Sequence, residues 1–120
     1  MEKKILIVDD ESDIVKIFSI VLKKEGYAVC TAKNGKEALE QVKDSDVCLI
    51  YLDYFLPDLT GEQIFQEMRK KKETTGIPVI FISASQEKLD EIKGDELTEK
   101  YVKPLVADQL LKITEKFVKN

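Results

Sequence analysis

The chain contains no histidine, which excludes a histidine general base, a zinc–histidine site and a phosphohistidine within it. Only two cysteines are present, Cys30 and Cys48. Each lies inside a strand-like apolar segment without metal-ligand spacing, so both are expected to be small, reduced core residues. No apolar stretch approaches the roughly 18 residues of a membrane span, because lysines and acids interrupt every hydrophobic run, and no signal-peptide pattern opens the chain. A cytoplasmic protein with no membrane partner is expected. Positive charge is also scarce: the net charge is −4, and the one basic run, Arg69 to Lys72, reads as a solvated last helical turn complementing the helix dipole. Direct nucleic-acid binding is therefore not expected.

What is present is the make-up of one ordinary globular domain over residues 1–120, with 43% hydrophobic and 35% charged residues of both signs interspersed. Five short apolar runs, "KILIVD", "YAVCTA", "VCLIYLD", "IPVIFIS" and "KYVKP", read as strands, being β-branched or aromatic and bounded by Gly, Pro or acids. Helical periodicity lies between them. Ile14, Ile17, Phe18, Val21 and Leu22 predict a helix over about Ser12 to Glu25, closed by Gly26. Ala38, Leu39 and Val42 mark a second helix after Asn34-Gly35, Ile64, Phe65 and Met68 a third beginning near Gly61, and Val106, Leu110, Ile113 and Phe117 stripe the last. The segment Gln86 to Lys93 has only Leu89 and Ile92 as apolar anchors, so the helix expected there is the least marked of the five. Strict alternation with continuously apolar strands predicts an α/β fold: a doubly wound, five-stranded parallel sheet with five helices.

In such folds a site forms outside the carboxyl ends of the strands. The residues where the apolar runs stop are Asp9 and Asp10, Asp53, Ser83 and Lys103. Singly, each has an ordinary explanation as a helix-terminal acid, a cap or a turn residue. Together they bring three carboxylates into one crevice, where they repel one another unless a cation sits among them. A hard divalent ion such as Mg²⁺ suits oxygen ligands of this kind. Asp10 and Asp53 suit direct ligation, with Asp9 acting through water.

These residues carry a resemblance. "VDDE" at Val8 to Glu11, "DYFLPDLTG" at Asp53 to Gly61, "FISAS" at Phe81 to Ser85 and "YVKP" at Tyr101 to Pro104, in this order and at strand ends, resemble the receiver domain of two-component response regulators, whose fold is flavodoxin-like. The resemblance implies that Asp53 accepts a phosphoryl group from a histidine kinase or histidine phosphotransfer protein, with Mg²⁺ as cofactor. It implies that Lys103 and Ser83 stabilise the transferring oxygens and that the backbone carbonyl of Phe55 completes the metal ligands. Tyr101 matches the family's aromatic switch residue, which moves with Ser83, and an amphipathic edge-strand tyrosine is an equal alternative reading of it. Lys103-Pro104 resembles a cis peptide of the family. The outcome expected is a changed interaction with a downstream protein partner or effector domain, rather than turnover of an exogenous substrate.

Some positions depart from the pattern. Gly94 is followed by "DELTEK" before Tyr101, where the family usually has Gly-Ala, so the fourth helix is expected to be short, and this puts the usual output geometry in question. Serine at position 83 keeps the hydroxyl of the commoner threonine without its methyl group. The Phe55 side chain is expected to cap the core, and Gly61 to supply a turn conformation. A nucleotide or flavin binder would want a Gly- or Ser/Thr-rich first loop, which "DDESD" is not. A haloacid-dehalogenase-type phosphatase needs an acid two residues after its nucleophile, where Phe55 stands. The remaining alternative is a pseudo-receiver, an interaction module that is not phosphorylated.

Overall fold

The central apolar runs become strands because their residues are claimed by two cores at once. The computed structural model describes residues 3–44 and 46–118. The strands are β1 (Lys4–Val8), β2 (Ala28–Ala32), β3 (Val47–Asp53), β4 (Val79–Ser83) and β5 (Thr98–Val102). They alternate with helices α1 (Ser12–Lys24), α2 (Gly35–Gln41), α3 (Gly61–Lys70), α4 (Gln86–Glu91) and α5 (Ala107–Phe117). All strand pairings are parallel in the order β2-β1-β3-β4-β5, which is the doubly wound sheet expected from the alternation.

Side chains alternate faces along a strand, so Ile5, Ile7, Leu49, Tyr51, Ile80 and Ile82 pack with Phe18 and Leu22 of α1 and Leu110 and Ile113 of α5. Their neighbours Leu6, Val8, Ile50, Leu52, Val79 and Phe81 pack on the other face with Ala38, Ile64, Phe65, Met68 and Leu89 of α2, α3 and α4. Burying each large side chain is worth about 1.5–3 kcal/mol. A polar residue within β1, β3 or β4 would lose this on one face or the other, so these strands show no polar alternation.

Helix ends follow their caps. Asn34 accepts from Glu37 N–H at 2.8 Å, and Thr60 and Gln63 form a reciprocal capping box before α3. Gly26 takes φ 91° just past α1, a conformation that favours glycine. As the departure after Gly94 implies, α4 is short, six residues with Leu89 as its one buried member. Four expectations need correction. Val106 lies outside α5 as its N-cap and is 54% exposed. The inward place falls instead to Thr114, whose hydroxyl bonds the buried Tyr51 hydroxyl at 2.6 Å. Ile17 is 57% exposed although it sits on the apolar stripe of α1. Cys30 and Cys48 are free but only half-buried. Arg69, rather than being solvated, stacks over Phe65 and donates to Asp95 at 2.7 Å, joining the end of α3 to the loop before β5.

Candidate functional site

The hydrogen-bond ladder of the sheet runs one residue past β1, β3 and β5 and fixes the first residue beyond each. Asp9 N–H donates to the Ala32 carbonyl at 3.1 Å, Tyr54 N–H to Ile82 at 3.0 Å and Lys103 N–H to Ser83 at 2.9 Å. The ends of β1, β3 and β5 are thereby held in one rim. Carboxylate oxygens of Asp9 and Asp10, after β1, and of Asp53, at the end of β3, lie within 4.8 Å of one another. Asp9 and Asp53 are buried and Asp10 is exposed.

Lys103 reaches into this cluster from the loop after β5. Its Nζ is 3.0 Å from Glu11 Oε1, 3.1 Å from Asp9 Oδ2 and 3.5 Å from Asp53 Oδ1. The other oxygen of Asp9 accepts the N–H of Glu11 at 2.9 Å. One ammonium therefore faces several carboxylates, and the imbalance appears in their proton affinities. Burial, then the charge of Asp9, raises the Asp53 carboxyl to about 6 against the opposing pull of Lys103. Burial raises Asp9 as well, against the Glu11 N–H and Lys103. Lys103 also moves up: burial lowers it, but its bond to Glu11 and the charges of Asp53 and Asp9 outweigh that. Burial leads the rise of both acids, and the net rise of Lys103 comes from the carboxylates around it. The donors are all oxygens, so the cluster fits a hard divalent cation better than a thiophilic metal.

The loop after Asp53 is held by close approach. The Gly61 N–H donates to the Tyr54 carbonyl at 2.7 Å, and a Cβ on Gly61 would stand 2.8 Å from the Asp53 carbonyl oxygen and 3.1 Å from Tyr54 Cα. Gly61 is thus required by crowding and not, as expected, by a special turn conformation, since its φ is not positive. Phe55 does not cap the core: its side chain is 50% exposed and stands edge-on to Tyr54 at 4.8 Å, which is the residue that turns inward.

Asp58 fastens this loop to the neighbouring element, accepting from Gly35 N–H at 2.7 Å and Lys36 N–H at 3.0 Å at the start of α2. These bonds and those of its own loop hold its carboxyl below the usual range. Neither Asp58 nor the Glu11–Lys103 pair was legible as such. An acid after proline looks like a turn residue, and an acid before a helix looks like a dipole complement.

Ser83 ends β4 fully buried, one residue beyond Ile82, the register partner of Asp53. Its Oγ accepts from Ser85 N–H at 3.0 Å. Tyr101 on β5 is half-buried, and its hydroxyl donates to Glu99 Oε1 at 2.5 Å; Lys116 pairs with the same carboxylate. Lys103-Pro104 is cis, as the resemblance implies. An open hollow of about 350 Å³ beside the cluster, lined in part by Asp9, Asp10, Lys16 and Lys33, leaves it accessible from outside. Among the described residues, no helix is long and apolar enough to cross a membrane.

The family model of the response regulator receiver domain matches residues 5–115. The alkaline phosphatase synthesis transcriptional regulatory protein PhoP of Bacillus subtilis (strain 168) is 39% identical over 97 residues, which are 81% of this chain and 40% of PhoP. The chain thus spans about two-fifths of that relative's length. Among solved structures, response regulator protein TrrA from Thermotoga maritima, in complex with Mg²⁺–BeF, is 32% identical with a TM-score of 0.85, covering 97% of this chain and 99% of that one. Chemotaxis response regulator CheY4 of Vibrio cholerae is 29% identical with a TM-score of 0.87, covering 98% and 100%. With its five-stranded parallel sheet and its acidic rim, the chain belongs to the receiver domains of two-component response regulators.

Proposed function

We propose that Asp53 is a phosphoacceptor, charged in a Mg²⁺-dependent reaction by a histidine kinase or histidine phosphotransfer protein. The observation that carries this reading is the juxtaposition at Asp53: a buried carboxylate at the open rim, 3.5 Å from one ammonium and clustered with two further acids. One Asp53 oxygen forms a bond to phosphorus as the phosphorus–nitrogen bond of the donor breaks, and the imidazole leaves with the electron pair. Lys103 donates to a phosphoryl oxygen. Ser83 is suited to do the same, since its Oγ accepts from Ser85 and its own O–H proton can turn toward the phosphoryl group.

Asp10, Asp53 and the Phe55 carbonyl would hold Mg²⁺, with Asp9 acting through water because both of its oxygens are already engaged. The ion, when bound, supplies charge neutralisation at the transferring oxygens. The Mg²⁺–BeF complex of TrrA supports this assignment by similarity. The result is a signal passed to a downstream protein partner or effector domain, with Ser83 and Tyr101 as the switch pair, and no turnover of an exogenous substrate.

Incubation with acetyl phosphate and Mg²⁺ is expected to add one phosphoryl group by intact mass, with none added under chelation or in Asp53→Asn. Failure with several donors and kinases, in protein shown to bind Mg²⁺, would favour a pseudo-receiver.

A further inference from the structure

Glu11 occupies the N-cap position of α1, where a side chain ordinarily turns back to the helix amides, yet it makes no such bond. Its carboxylate reaches Lys103, 92 positions away in the chain, at the shortest distance of the three acids around that ammonium. An ammonium has three N–H donors. Among the described residues, the hydrogen bond that Lys103 donates goes to Glu11 at 3.0 Å, while Asp9 at 3.1 Å and Asp53 at 3.5 Å are ion-pair contacts.

We infer that Glu11 is a positioning residue, a releasable counter-ion that holds the hydrogen bond of Lys103 and must let go when a phosphoryl group arrives. The inference rests on the phosphoacceptor reading of Asp53. A phosphoryl group on Asp53 adds oxygen acceptors beyond the carboxylate, and Lys103 turns toward one of them by moving away from the carboxylates beside Asp53, to one of which it is hydrogen-bonded. The side chain of Asp9 is 5% exposed and cannot be rehydrated in place, whereas that of Glu11 is 60% exposed and can. Glu11 is therefore the partner released. By linkage, whatever holds Lys103 on Glu11 weakens the phosphorylated form, and phosphorylation weakens the Glu11–Lys103 pair by the same factor.

Beryllofluoride at saturating Mg²⁺ tests this without turnover. An exposed ion pair is a small interaction, so Glu11→Gln is expected to bind beryllofluoride about two- to fivefold more tightly than the wild type. Glu11→Asp keeps the charge but is too short to reach Lys103, and is expected to match Glu11→Gln. In a Lys103→Met background the Gln substitution should have no effect. An unchanged or weaker affinity in Glu11→Gln would overturn the inference. So would wild-type behaviour of Glu11→Asp, or an equal gain in Lys103→Met, since either marks a field effect that bypasses Lys103. Wild-type protein that binds Mg²⁺ but not beryllofluoride would instead remove the phosphoacceptor reading, and this inference with it.

Discussion

Asp53 shares with Asp9 the cost of a charged site that is buried. Its folded-state value of about 6 lies above the ordinary value of 3.8 because burial and Asp9 oppose ionisation. Between those values the folded chain holds a proton that the unfolded chain has released. The stabilising contribution of Asp53 is complete below about pH 4 and is lost as pH rises through about 6. Asp53→Asn keeps the shape without the charge. In chelator, urea unfolding is therefore expected to find this variant more stable than the wild type by roughly 2 kcal/mol at pH 7.5, and equal to it below about pH 4. A constant difference across that range would assign the effect to packing rather than to charge.

Among the elements, the two faces of the sheet are unevenly secured. Helix α1 buries Phe18 and Leu22 along 13 residues, while α4 has six residues and one fully buried side chain. Native-state amide exchange is expected to open α4 well before α1, because local opening there exposes little apolar surface; equal protection would contradict this. The strands were readable because apolar runs stop at acids, and the helices because their stripes repeat every three to four residues. Position within a stripe was less readable. Val106 continues the spacing of Leu110 and Ile113 but precedes the first helical turn, and Thr114 is buried because its hydroxyl bonds the Leu110 carbonyl at 2.8 Å and meets Tyr51. Long-range polar partners were not readable at all. The amides that bind Asp58 lie 22 and 23 positions earlier, and Arg69 meets Asp95 26 positions later. Local periodicity carries no record of such pairs, whereas the strand-end acids share one rim as soon as the strands are parallel.

For the molecule as a whole, the acidic rim is expected to make stability respond to Mg²⁺. A ligand that binds only the folded state stabilises it by mass action, about 2.7 kcal/mol at a hundredfold excess over Kd. Mg²⁺ at matched ionic strength is thus expected to raise the melting temperature of the wild type and to leave Asp10→Ala nearly unchanged. An equal gain in Asp10→Ala would place the metal elsewhere. The role of the whole rim turns on where a phosphoryl group is bonded. Borohydride reduces an aspartyl phosphate to homoserine, so protein treated with acetyl phosphate and Mg²⁺, reduced and mapped by peptide mass spectrometry, reads the attachment point directly. The expected result is homoserine at position 53 alone, absent when Mg²⁺ is chelated. Homoserine at position 9 or 10, or none in protein that has gained a phosphoryl group, would contradict the assignment of Asp53 as the phosphoacceptor.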